Sequence, residues 1–378
     1  MSLQVASPDV ERPAGTRSRP SFKPSMYWLL AFVPISVALE RAHVPPPVLF
    51  FSAALAILPI ARLIVVATEQ LATRTGDAIG GLLNATFGNA PELIIALVAL
   101  RAGFFDMVRA SIIGAILANL MLATGIAFFL GGLRHHTQEY NAGAARLYSS
   151  MMLISAVSLG VPSAFNRFFS PEETIRAEKL VNLGTAFVLL AAYGLYLLFL
   201  LKTHPDYFQS VASTEGAHEH EHSRWSAGRA IGSLLGASVL AAWMSEILVG
   251  AAEGTGEELG MSQTFIGMII VAVVGGAAES LSAIAAGTKN KLDLTMGVVY
   301  GSCIQIALFV APVLVLVSRV IAPEPLDLSF SRLELGVLFL AVLIGGSVGN
   351  DGKGNWFKGV QLLTVYATIA LLLYFVPA

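Results

Sequence analysis

Apolar runs recur along almost the whole chain, broken by short polar connections. A ~30 Å hydrocarbon core asks a helix for about 20 apolar residues. Eleven segments meet or approach that length, at approximately 25–40, 48–72, 77–100, 107–133, 147–165, 176–201, 228–252, 262–287, 292–318, 330–349 and 356–376. The runs are far longer than strands, so the pattern predicts an all-α polytopic membrane protein. The longest polar interruption, 202–226, holds Pro205 and the run His218-Glu219-His220-Glu221-His222. It leaves five segments on either side of it, with the first segment standing apart as an extra. Residues ahead of Ser25 carry Arg12, Arg17, Arg19 and Lys23 among prolines and lack an apolar core. They read as a disordered basic tail and not a cleaved signal sequence. The chain is therefore divided into the tail (1–25), a first transmembrane helix and turn (26–45), repeat one (46–201), a His/Glu-containing linker (202–226) and repeat two (227–378). An odd number of helices per block gives the two copies opposite topology, the inverted repeat of secondary transporters.

Composition agrees with this reading: 55% of residues are hydrophobic and 13% charged, against roughly 25% charged in soluble domains. The 23 Lys and Arg nearly balance the 25 Asp and Glu, for a net charge of −2, so nucleic acid is not expected as a partner and membrane lipid is. The lone Cys303 permits no internal disulfide and no thiolate zinc site. With the tail in the cytoplasm, inner loops collect roughly twice as many Lys and Arg as outer loops, which predicts N-inside orientation. Short loops suit a prokaryotic inner membrane. No enzyme is expected, since neither a Gly-rich phosphate loop nor an aspartate-rich diphosphate site is present.

Sliding the chain on itself by 187 residues lays Gly88-Asn89-Ala90-Pro91-Glu92 over Gly275-Gly276-Ala277-Ala278-Glu279. Both copies place a glutamate inside an apolar span, directly after a break-prone stretch. A carboxylate near the bilayer centre costs on the order of 3 kcal/mol and marks a functional site by default. Interrupted helices free carbonyls to face a cavity, and carbonyl and carboxylate oxygens are ligands for hard cations. Two ionised glutamates match the charge of Ca2+. A carboxylate deprived of its cation takes up a proton, so cation and proton compete for one site. Asp106 and Asp293 follow these helices and are expected to anchor them at the interface, near Arg101 and Arg109 in one copy and Lys289 and Lys291 in the other.

The stretch GGLLNATFGNAPELIIALVAL at 80–100 resembles the first signature of the CAX calcium/proton exchangers, and GTKNKLDLTMGVVYGSCIQIALFVAP at 287–312 resembles the second. ATEQLA at 67–72 and SEILVGAAEG at 245–254 extend the similarity over the chain from about residue 26. The resemblance implies an extra first helix plus two inverted five-helix repeats, with no cofactor beyond the transported ions. It implies that Glu92 and Glu279 bind the cation and proton as the metal ligands. Asn89, Asn119, Ser302 and Gln305 would complete the shell, and Glu69 and Glu253 would line the entry path or gate it. One departure bears on selectivity. Where the family usually has Gly-Asn-Ala-Ala-Glu-His, this chain has Gly275-Gly276-Ala277-Ala278-Glu279-Ser280, losing an amide and an imidazole. Ca2+ is the expected substrate, with Mn2+, Na+ or K+ kept open. A monovalent cation/proton antiporter on the same scaffold is the alternative, and a cation channel a more distant one. The His218–His222 run reads as a solvated linker, and homo-oligomerisation is compatible with the sequence.

Overall fold

The computed structural model describes residues 25–75, 77–169, 171–204 and 225–376. The basic tail and nearly all of the His/Glu linker lie outside the described residues. Helices dominate. A 3-10 turn (Met26–Ala31) leads into α1 (Phe32–Arg41), followed by α2 (Pro46–Thr75), α3 (Asp77–Phe87), α4 (Ala90–Arg101), α5 (Phe105–Leu117), α6 (Thr124–His135), α7 (Ala142–Phe168) and α8 (Pro171–Leu198). The second half runs α9 (Ala227–Leu259), α10 (Gln263–Phe265), α11 (Ala272–Gly275), α12 (Ala277–Thr288), α13 (Leu292–Gln305), α14 (Ala311–Ile321), α15 (Arg332–Gly349) and α16 (Trp356–Tyr374).

Among the described residues, eight continuous helical stretches are long and apolar enough to cross a membrane, and α10–α11 with α12 form a ninth, bent by 61° at its break. With Met26–Arg41 and the broken pair α3/α4 they fall on the eleven apolar segments of the sequence. The protein is a polytopic membrane protein built on two repeats. Its lipid-facing helices explain the many exposed Leu, Val, Ile and Phe side chains, such as Ile154, Val188 and Val239.

The 187-residue offset is written into the backbone. The helix breaks fall at Gly88–Asn89 and at Gly276. Beyond them, π-helical turns interrupt the next span of each copy, at Ala118–Ala123 and Ile306–Val310. Such turns inside α-helices often accompany functional sites. Repeats also cross closely: a Cβ on Gly114 of α5 would lie 2.1 Å from the Met268 carbonyl, and one on Gly267 would lie 2.5 Å from that of Met107. Only glycine permits this approach of α5 to the π-helical segment Ile266–Val271.

The long helices α2 and α9 pack along one another and flank the broken helices. At the far end of the bundle, a short antiparallel ribbon joins β1 (Thr137–Glu139) to β2 (Lys353–Asn355). Three-residue strands are too short for a hydropathy pattern to reveal, and this ribbon is an addition to the all-helical expectation. At the opposite end, the segment between α14 and α15 is held by side chains of α7 and α8: Asn182 Nδ2 donates to the Leu326 carbonyl (2.8 Å), and Ser163 Oγ accepts from Phe330 N (2.8 Å).

Candidate cation site

Two broken helices meet at their breaks. Asn89 precedes α4 and places Pro91 and Glu92 in its first turn, where proline's missing N–H costs nothing. Gly276 plays the same part for α12, with Glu279 in its first turn. Each carboxylate lies against the other copy's break. A Cβ on Gly88 would stand 3.0 Å from Glu279 Oε1 and 3.3 Å from Gln305 Oε1, while one on Gly275 would stand 3.0 Å from Glu92 Cγ and one on Gly276 3.4 Å from Glu92 Oε1. Small residues at the breaks let the carboxylates cross between repeats, each close to the start of the opposite helix.

The carboxylate oxygens are buried. Both oxygens of Glu92 and Oε2 of Glu279 have no hydrogen-bond partner within the described structure. Beside them runs a polar chain that spans the repeats. Asn89 Nδ2 donates to Gln305 Oε1 (2.6 Å), Ser302 Oγ donates to Asn89 Oδ1 (2.8 Å), and Asn119 Nδ2 donates to Ser302 Oγ (3.2 Å). Asn89, Asn119 and Ser302 are each about 2% exposed, so this chain belongs to the interior and not to a lipid-facing surface. The free oxygen of Asn119, Oδ1, is also buried and unpartnered. Six of the residues expected at the site (Glu92, Glu279, Asn89, Asn119, Ser302 and Gln305) are thus brought together. Among the described residues no three His, Cys, Asp or Glu side chains converge. Any cation held here would draw on two carboxylates and neutral oxygens, a hard-ligand set.

Glu69 and Glu253 are not part of this cluster. Both are exposed, each near the C-terminal end of its long flanking helix. The two helices run antiparallel, with Gly254 lying against Pro46 and Trp225 N donating to Gln70 Oε1, so the glutamates stand at opposite ends of the pair. Glu253 shares a cavity of about 670 Å3 with Asp106, Glu257 and Ser262. Asp106 is ion-paired to Arg109 (2.5 Å), which also binds Asp327 (2.6 Å). Asp293 accepts from the backbone N–H of Asn141 (2.7 Å), so it ties α13 to the start of α7 without an ion pair to a neighbouring lysine among the described residues. Sequence reasoning passed over Thr68, whose buried hydroxyl oxygen has no partner among the described residues; its place inside the ATEQLA stretch was the available signal. Two stretches spell enzyme-like motifs. Gly345-Gly346-Ser347-Val348-Gly349 fits Gly-x-Ser-x-Gly but lies inside α15, where a strand–turn–helix elbow is required. His218–His222 spells His-Glu-x-x-His and lies outside the described residues.

Comparison with known proteins agrees with this architecture. The family described as sodium/calcium exchanger protein matches twice, over residues 46–202 and 229–375. The chain belongs to that family. A Ca(2+)/H(+) antiporter of Aphanothece halophytica is 39% identical over 367 residues, covering 93% of this chain and 96% of the relative. The Ca(2+)/H(+) antiporter ChaA of Bacillus subtilis is 41% identical over 345 residues, covering 90% and 96%. The solved structure of native YfkE superposes with a TM-score of 0.80 at 36% identity, covering 93% of this chain and all of that one. The H+/Ca2+ exchanger CAX, at 13% identity and a TM-score of 0.66, shares the fold. These matches place the chain among the CAX exchangers, a family of transporters and not enzymes.

Proposed function

We propose that this membrane protein exchanges Ca2+ for protons by alternating access, with Glu92 and Glu279 as the shared binding groups. One observation carries the reading: three carboxylate oxygens, from both repeats, are buried at the helix breaks with no hydrogen-bond partner among the described residues. A buried carboxylate left ionised and unpaired is strongly disfavoured. Each must therefore hold a proton or a cation, and the two loads exclude one another. Carriers that reorient only when loaded or protonated perform antiport. Asn89, Asn119, Ser302 and Gln305 complete the shell with neutral oxygens, and backbone carbonyls near the breaks add to it.

The names of the bacterial relatives, Ca(2+)/H(+) antiporters at about 40% identity over almost their whole length, favour Ca2+ as the cation. The long helices α2 and α9 rock across the site, and Glu69 and Glu253 stand at the two ends of the path. We further infer that 46–201 and 227–378 are the inverted units and 26–45 the added first helix. The N-terminus faces the cytoplasm of a prokaryotic inner membrane.

The test is Ca2+-driven proton release in proteoliposomes under an imposed pH gradient, with Mn2+, Na+ and K+ run in parallel. Glu92→Gln and Glu279→Gln are expected to lose exchange by more than about a hundredfold while remaining monodisperse. Full exchange in both variants would sink the proposal. A response confined to Na+ or K+ would keep the site and replace its substrate.

A further inference from the structure

Arg62 lies near the middle of the 30-residue helix α2, where an arginine is costly and calls for a partner. Among the described residues no carboxylate lies within ion-pair distance of it. Its guanidinium crosses to α12 instead and donates through Nη1 to Ser282 Oγ at 2.6 Å. Ser282 in turn donates to the Ala278 carbonyl at 3.0 Å. Ala61 and Val65, on either side of Arg62, bury against Ala278 in a small apolar cluster separate from the main core. Positive charge is thus pinned at the α2/α12 seam, where Ser282 follows Glu279 by three positions, about one helical turn.

We infer that Arg62 is a specificity-determining residue: its fixed charge opposes cation loading at the two-glutamate site and keeps Ca2+ loosely held. This rests on the two-glutamate reading of the previous section. With both glutamates ionised, adding the guanidinium reduces the local formal charge from −2 to −1. Repulsion scales with the charge of the load, so Ca2+ is penalised twice as much as a single Na+ or K+ at the same position. Weak holding favours turnover, because a doubly charged ion between two buried carboxylates would otherwise leave slowly. Ser282 fixes where the charge sits, since without that acceptor the guanidinium could swing along α2 away from the site.

The test measures Ca2+ uptake against Ca2+ concentration in proteoliposomes at one fixed pH gradient. It compares wild type with Arg62→Gln, Arg62→Met, Arg62→Lys, Ser282→Ala and Glu279→Gln. Arg62→Gln retains a donor for Ser282 without the charge, so it separates electrostatics from packing. Both neutral variants are expected to lower the Ca2+ KM by about tenfold and to lower kcat through slower release, with a smaller change in apparent Na+ inhibition. Arg62→Lys is expected to stay within about twofold of wild type, and Ser282→Ala to fall between. An unchanged or raised Ca2+ KM in Arg62→Gln overturns the inference, as does Arg62→Lys behaving like the neutral variants. Should Arg62→Met fail to fold, Arg62→Gln carries the test alone. An inactive Glu279→Gln beside an Arg62→Gln indistinguishable from wild type would refute the role of Arg62 and leave the two-glutamate site standing. An active Glu279→Gln would remove both.

Discussion

The two half-sites share a backbone and differ in what their breaks supply. In repeat one, Asn89 fills the break and reaches across to Gln305 and Ser302. In repeat two, the equivalent position is Gly276, which sends no side chain toward repeat one. Glu92, on the side that faces Gly276, has both oxygens unpartnered, whereas Glu279, on the side that faces Gly88 and Gln305, has only one oxygen in that state. Asn119 of repeat one is likewise left with a bare oxygen. An inverted repeat therefore supplies two carboxylates by symmetry and a polar shell by divergence. Binding can be shared between the halves while preorganisation is concentrated in one.

Tight packing at Gly88 should make that position less tolerant of a side chain than Gly276. A Cβ on Gly88 would fall 2.8 Å from the Asn84 carbonyl and 3.0 Å from Glu279 Oε1, while one on Gly276 has nothing nearer than 3.3 Å. Gly88→Ala is expected to cost about 1–3 kcal/mol of overpacking and to reduce exchange more than tenfold, because the backbone oxygen cannot yield. Gly276→Ala should keep exchange within about threefold, since 3.3–3.4 Å contacts can relax by a few tenths of an ångström. Thermal melting in detergent together with proton-release rates would check the pair. Equal damage at both breaks would mean that the asymmetry is not one of space.

Asn89 comes next in expected effect. Asn89→Ala removes the donor to the half-buried Gln305 Oε1 and the acceptor of the buried Ser302 hydroxyl, which keeps its bond from Asn119, at about 1–3 kcal/mol for each lost bond unless water enters. The Ca2+ KM should rise about tenfold, with a smaller loss of kcat. Asn89→Asp would keep the acceptor and add charge, raising affinity for Ca2+ if the amide oxygen itself meets the ion. A KM unchanged in Asn89→Ala, measured by initial uptake rates, would demote the whole Asn89–Ser302–Asn119 chain to interhelical bonding.

Much of this was legible in the residues. Glutamates inside apolar spans, Gly- and Pro-marked breaks and a 187-residue offset point to the site because charge in hydrocarbon is costly wherever it occurs. The pairing of each glutamate with the opposite break was not legible, since it depends on how two inverted copies cross. The π-helical turns at Ala118–Ala123 and Ile306–Val310 were hidden for another reason: π turns carry no separate hydropathy period. Arg62 was visible as an anomaly, but its partner was not. A glutamate would have been the electrostatic choice, and the structure supplies a serine one turn further on.

The smallest expected effect comes from repairing the asymmetry. Gly276→Asn places an amide where a Cβ already has ordinary contact distance to Glu92 Oε1, 3.4 Å, with the Ala272 carbonyl at 3.3 Å and Ser280 Oγ at 4.0 Å as its other neighbours. The new side chain can donate to one of the bare Glu92 oxygens and offer its own oxygen to a bound ion, at the cost of slight crowding against the helix. These contributions oppose one another. An amide donated to Glu92 competes with the cation, whereas an added oxygen ligand favours Ca2+ over singly charged ions because ion–dipole attraction grows with charge. The net result expected is a change of no more than about threefold in Ca2+ KM, with a larger gain in Ca2+ preference over Na+ and K+, measured by competition in the proton-release assay. Loss of Ca2+ selectivity in Gly276→Asn would instead mean that the bare glycine break, and not the carboxylate pair alone, sets which cation is taken.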